Sequence, residues 1–76
     1  MELRNLRTLV RIAELGSFST AAEDLGYTQS TVTMQIKALE EELGAPLFDR
    51  IGRRVRLTDS GRQAVQSARA SLLAES

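Results

Sequence analysis

The stretch Thr28 to Gly44, TQSTVTMQIKALEEELG, decides how this chain is read. Val32, Ile36, Leu39 and Leu43 recur at the spacing of one helical face, Thr28 offers an oxygen to cap the first turn, and Gly44 supplies a stop. On a wheel advancing ~100° per residue, Ser30, Met34 and Lys37 point the opposite way and Thr33 lies at the flank. Met34 is the odd member, an apolar side chain where a solvated one is the rule. The acids of this helix, Glu40, Glu41 and Glu42, crowd its carboxyl end. A polyanion is therefore tolerated along residues 28–37 and repelled beyond them, and the unpaired N–H groups of the first turn favour phosphate.

Two more helices precede this one. Leu3, Leu6, Val10 and Ala13, widened by Leu9 and Ile12, predict a helix over residues 2–15 that Gly16 ends. In GSFSTAAEDLG, residues 16–26, Ser17 or Ser19 caps a short second helix with Ala21, Ala22 and Leu25 inward and Gly26 as its stop. Only Gly26, Tyr27 and Thr28 separate it from the third helix, a turn tight enough for a helix-turn-helix. Beyond Gly44 and Pro46, PLFDRIGRRVRLT has an apolar start, a Gly-Arg-Arg centre and a Val55/Leu57 alternation, the pattern of a short hairpin turning at Gly52. Thr58 then caps a fourth helix, with Asp59 in its first turn and Ala64, Val65, Ala68, Leu72 and Leu73 at helical spacing.

Composition narrows the chemistry. In 76 residues, 42% of them apolar and 26% charged, the chain holds one small globular domain. It has no cysteine and no histidine, so disulfides, thiolate zinc clusters and Ser-His-Asp or Cys-His nucleophiles cannot be built. Neighbouring helical positions diverge by ~100°, so Glu40 to Glu42 do not converge on one metal ion. The apolar run LVRIAELG is broken by Arg11 and Glu14 and is neither a signal peptide nor a membrane span. Formal net charge is zero, yet residues 1–49 carry 4 basic against 8 acidic residues, a net of −4, and residues 50–76 carry 6 against 2, a net of +4. Arg50, Arg53, Arg54 and Arg56 fall within one short hairpin, a local basic footprint.

Two readings of the outer face stand side by side. Single exposed apolar residues are common, so Met34 can be incidental, and an arginine-rich turn can be merely solvated. Alternatively Met34 packs on a thymine methyl while Gln29, Ser30 and Thr33 offer donors and acceptors to base edges or phosphates.

The ordered series LGSFSTAAEDLGYTQSTVTMQIKALEEELGAPLFDR followed by GRRVRLTDSG resembles the amino-terminal DNA-binding domain of LysR-type transcriptional regulators, over essentially residues 3–73. The resemblance implies a mainly α winged helix-turn-helix, a three-helix core with a short β-hairpin wing, over residues 1–57, and a linker helix for dimerisation over 58–76. It implies that the third helix lies in the major groove of double-stranded DNA and the hairpin reaches toward the minor groove. Gln29, Ser30, Thr33 and Met34 fall on recognition positions, flanked by Thr28, Thr31 and Lys37, and Arg50, Arg53 and Arg54 fall on or beside the wing. Val65, Ala68 and Leu72 fall on the linker-helix interface of a homodimer, with a tetramer as the larger assembly. Family members often carry proline where Ser30 stands and Ser-Arg where Thr33 and Met34 stand, so a base preference does not transfer. The family also has a larger carboxyl-terminal domain that binds a small-molecule effector. The resulting expectation is a non-enzymatic regulator without cofactor in this domain, bound at the nucleoid in the bacterial cytoplasm to an interrupted AT-rich palindrome. The rival expectation is a winged helix that docks on another protein through Met34 and the linker stripe; steep salt dependence distinguishes DNA from that apolar partner.

Overall fold

A computed structural model describes residues 1–51 and 54–75, with residues 50, 51, 54 and 75 described by backbone only. In chain order the elements are α1 (Leu3–Leu15), α2 (Phe18–Leu25), α3 (Gln29–Leu43), β1 (Phe48–Ile51), β2 (Arg54–Leu57) and α4 (Asp59–Glu75). The sequence-predicted boundaries follow the caps. Ser17 accepts the Thr20 N–H and Thr28 accepts the Thr31 N–H, each at 3.1 Å, while Gly16, Gly26 and Gly44 end the first three helices in the left-handed conformation.

The core is built from all four helices. Leu9 and Ile12 of α1, Ala21 of α2, Val32 and Leu39 of α3 and the loop residue Leu47 are fully buried. The deepest line of α1 therefore runs through Leu9 and Ile12, with Leu3, Val10 and Ala13 half-buried around it. Alanines at 21 and 22 let α2 lie close against its neighbours, and the Phe18 ring meets Phe48 of the hairpin edge-on at 5.4 Å. Leu43, expected on the inward stripe of α3, is instead 42% exposed because the core ends before the last turn of that helix.

Helix α4 joins this core, which corrects the expected division of labour along it. Val65 and Ala68 are buried, 6% and 1% exposed, within this chain's own core rather than left for a second chain. The reason is that α4 packs back across α1, and Arg69 of α4 reaches Glu14 of α1 at 3.9 Å. Leu72 is half-buried, while Gln63, Gln66, Ser67, Ala70, Leu73 and Ala74 remain exposed. Among the described residues no helix is long and apolar enough to cross a membrane.

The hairpin leaves the core at a tightly tied junction. Antiparallel pairing runs from Phe48 opposite Leu57 to Ile51 opposite Arg54, with Asp49 opposite Arg56. At its base Leu47 O accepts the Thr58 N–H at 3.0 Å, and the Thr58 hydroxyl donates to Pro46 O at 2.6 Å while accepting the Gly61 N–H at 2.9 Å. Thr58 thus caps α4 and holds the loop that feeds β1.

Candidate nucleic-acid interface

Helix α3 presents the expected face. Gln29, Ser30, Met34 and Lys37 are exposed and Thr33 is half-buried, with Met34 at 68%. From Gln29 to Lys37 the helix advances ~12 Å, a length that fits the width of a B-DNA major groove. Behind this face Val32, Ile36 and Leu39 seat the helix on α1 and α2, so the outward residues stand on a rigid support.

The first turn of α3 divides its polar groups between capping and outward display. The Thr28 hydroxyl accepts from the Thr31 N–H and donates its proton to the Thr31 hydroxyl oxygen at 2.9 Å. Its hydrogen-bonding capacity is largely spent inside the chain, so of the two threonines Thr31, whose own proton stays available, is the better outward donor. Among the described residues the Gln29 and Ser30 N–H groups have no acceptor, and as first-turn donors they point along the helix axis toward whatever the helix approaches. With no acidic residue in its first turn, this end of α3 is set up for an anion.

The carboxyl half of α3 contributes a residue that pattern reading missed. Glu40, grouped with Glu41 and Glu42 as part of a solvated face, is half-buried and accepts the buried Leu47 N–H at 2.8 Å. It ties α3 to the loop that launches the hairpin. The signal for it was Pro46, which has no N–H and so leaves Leu47 as the next donor after Ala45, whose own N–H goes to the Glu40 carbonyl at 3.3 Å.

The basic hairpin is placed in outline. Arg50 and Arg54 lie in β1 and β2, one on each strand, and Arg53 lies outside the described residues, as does Gly52. Arg56 is exposed opposite Asp49. Arg11 joins α1 to α2 by donating to Asp24 at 2.6 Å, and also donates to Glu14 at 3.2 Å; the hydrogen bond to Asp24 holds that carboxyl below its ordinary range. Among the described residues no group of His, Cys, Asp or Glu is arranged to hold a metal ion.

Three helices, a tight turn before an outward-facing third helix and a two-stranded hairpin together define a winged helix-turn-helix domain. A family model described as the bacterial regulatory helix-turn-helix protein, lysR family, matches residues 3–62. The chain belongs to that family. It is 52% identical over 62 residues to the uncharacterized HTH-type transcriptional regulator YwqM of Bacillus subtilis, covering 82% of this chain and 21% of that protein. Among solved structures, a complex of the CbnR DBD with DNA superposes with a TM-score of 0.93 at 36% identity, over 99% of this chain and 86% of that one. The BenM DBD bound to catB site 1 DNA gives a TM-score of 0.86 at 43% identity, over 99% and 80% of the two chains. The chain thus spans about a fifth of the length of the YwqM relative.

Proposed function

We propose that this chain binds double-stranded DNA in a sequence-dependent way and serves as the DNA-contacting part of a bacterial transcriptional regulator, without catalysis and without a cofactor of its own. The observation that carries this reading is the outer face of α3, where Gln29, Ser30, Met34 and Lys37 are exposed over one groove width and no acid intervenes. Gln29, Ser30 and Thr33 supply donors and acceptors to base edges, Met34 supplies an apolar contact suited to a thymine methyl, and Lys37 and Thr31 reach phosphates. The arginines at 50, 53 and 54 add phosphate or minor-groove contacts from the hairpin. The DNA held by the similar CbnR and BenM domains supports the same placement.

The regulator acts as a dimer on this reading, as one half-site engages one α3. Because α1 occupies Val65 and Ala68, the seam between copies uses the exposed side of α4, through Ala70, Leu73 and Ala74. A tetramer and control by a small-molecule effector belong to the full-length protein, which works at the nucleoid in the cytoplasm. Selection of duplexes from a random pool, followed by titration of the selected duplex at several salt concentrations, tests the reading. A recovered consensus and a linear fall of log affinity against log salt, with a slope of about −0.9 per phosphate neutralised, are expected. No consensus and a flat slope would return the outer face of α3 to an apolar protein partner.

A further inference from the structure

The side chains that seat α3 most deeply, Val32, Ile36 and Leu39, are apolar. Apolar packing selects which face of the helix turns inward and supports it, but it has no directional term of its own, so a bond of defined length and angle sets the roll more finely than packing alone. That roll matters to a reader of base edges. At a side-chain radius of roughly 5–6 Å, a roll of about 10° moves an outward atom by ~1 Å. Hydrogen bonds tolerate a spread of only about 0.5 Å between donor and acceptor, so such a roll breaks them.

One directional contact crosses from α1 to α3 in the interior. The Thr8 hydroxyl donates to Gln35 Oε1 at 2.6 Å, with Thr8 fully buried and Gln35 9% exposed. Among the described residues it is the one hydrogen bond between two buried side chains. A hydroxyl has a single proton, and the Arg4 carbonyl at 3.2 Å is the more distant of its two acceptors, so the bond to Gln35 takes precedence. Gln35 directly follows Met34 and lies within the half of α3 that carries the outward face. The other polar tie from α1's end of the chain to α3, the Met1 amino group to Glu42 at 3.3 Å, is at the surface and at the far end of the helix.

We propose that Thr8 and Gln35 are positioning residues for sequence discrimination: their bond sets the roll of α3, and neither touches DNA. This rests on the reading of α3 as the base-contacting helix. A buried pair that merely satisfies its own polar groups is the alternative, and deleting both partners together separates the two. The double variant Thr8→Val with Gln35→Met leaves no orphaned polar group and nearly conserves volume, so folding is retained while direction is lost.

The experiment measures thermal midpoint, affinity for a scrambled duplex and the ratio of affinities for selected over scrambled duplex, in the parent, the double variant and Thr8→Ser. The double variant is expected to melt near the parent and to bind the scrambled duplex within about twofold, while its ratio falls about tenfold, the loss that follows from about one misread base pair. Thr8→Ser, which keeps the hydroxyl, should keep the ratio. A ratio in the double variant within twofold of the parent's overturns the proposal and leaves the pair a stabilising contact only. A parent with no preference between the duplexes overturns the reading of α3 itself, and the proposal with it. Should the double variant fail to fold, Thr8→Val alone carries the comparison through the affinity ratio and the scrambled-duplex affinity under the same criteria, its thermal midpoint being expected to fall because Gln35 Oε1 loses its donor.

Discussion

Replacing Gly61 with alanine tests the junction that sets where the hairpin leaves the core. Gly61 is the third residue of α4, and a Cβ built on it meets the Leu47 carbonyl oxygen at 2.1 Å, the Leu47 carbonyl carbon at 3.0 Å and Leu57 Cδ2 at 2.9 Å. Two effects of opposite sign follow. Alanine favours helix over glycine by up to about 1 kcal/mol. Against this, an ordinary carbon-to-oxygen approach is about 3.3 Å, so the backbone of Leu47 must retreat by about 1 Å. Leu47 is fully buried and its oxygen accepts the Thr58 N–H at 3.0 Å, so it has no free direction in which to move. Overpacking of this kind costs about 1–3 kcal/mol, and loss of the Thr58 bond adds about 1 kcal/mol. The steric cost wins, leaving a net destabilisation of about 1–3 kcal/mol. In a domain of this size each kcal/mol lowers the melting temperature by about 4–8 °C, so a fall of about 5–20 °C by circular dichroism is expected. Gln63→Ala, on the exposed side of the same helix, serves as the control and should leave the midpoint within a few degrees. A midpoint for Gly61→Ala equal to or above the parent's would refute the close approach of Leu47 to α4.

Further predictions concern the ties around α3 and α4. Glu40→Ala orphans the Leu47 N–H and should cost about 1–3 kcal/mol in urea denaturation, whereas Glu40→Gln, which still offers an amide oxygen, should recover most of that; equal losses would remove the hydrogen bond as the cause. Asp24, with its carboxyl lowered from 3.8 by the Arg11 hydrogen bond, contributes stability that is full above that value and is lost as pH falls through the folded-state value below it. Asp24→Asn should therefore narrow the stability difference between neutral and strongly acid solution, and an unchanged acid profile would count against the pair. Leu73→Glu should shift sedimentation toward monomer with the fold retained, while Ala68→Glu should unfold the domain; a folded, monomeric Ala68 variant would restore the seam to the face now assigned to the core.

Most of the fold was legible because its punctuation is local. Ser17, Thr28 and Thr58 each cap the helix they precede, and Gly16, Gly26 and Gly44 stop the ones they follow, so a one-dimensional reading finds the ends. The outward direction of Met34 was equally legible, since it follows from its offset to Val32, Ile36 and Leu39. What periodicity supplies is a face and never the identity of what covers it. Val65 and Ala68 make an inward stripe whether α1 or a second chain lies opposite, and only the return path of α4 decides for α1. Thr8, Gln35 and Glu40 escaped notice for a related reason: each is a polar residue of ordinary surface type whose partner lies at least seven positions away. Gly61 gave no warning either, because its need for a bare Cα arises from a loop fourteen residues earlier in the chain.

On the proposed reading, the exposed face of α3 recognises base edges. That reading is tested most directly by the ratio of affinities for selected over scrambled duplex in the parent and in the triple variant Gln29→Ala, Thr33→Ala, Met34→Ala, at fixed salt. Three alanines on the outer face leave the buried stripe intact, so the melting temperature should stay within a few degrees of the parent's. Affinity for scrambled duplex, carried by Lys37, the hairpin arginines and the helix amino end, should change by less than about threefold. The ratio is expected to collapse toward one, as each lost base contact removes about 1–3 kcal/mol of discrimination. A triple variant that folds and discriminates as well as the parent would contradict that reading.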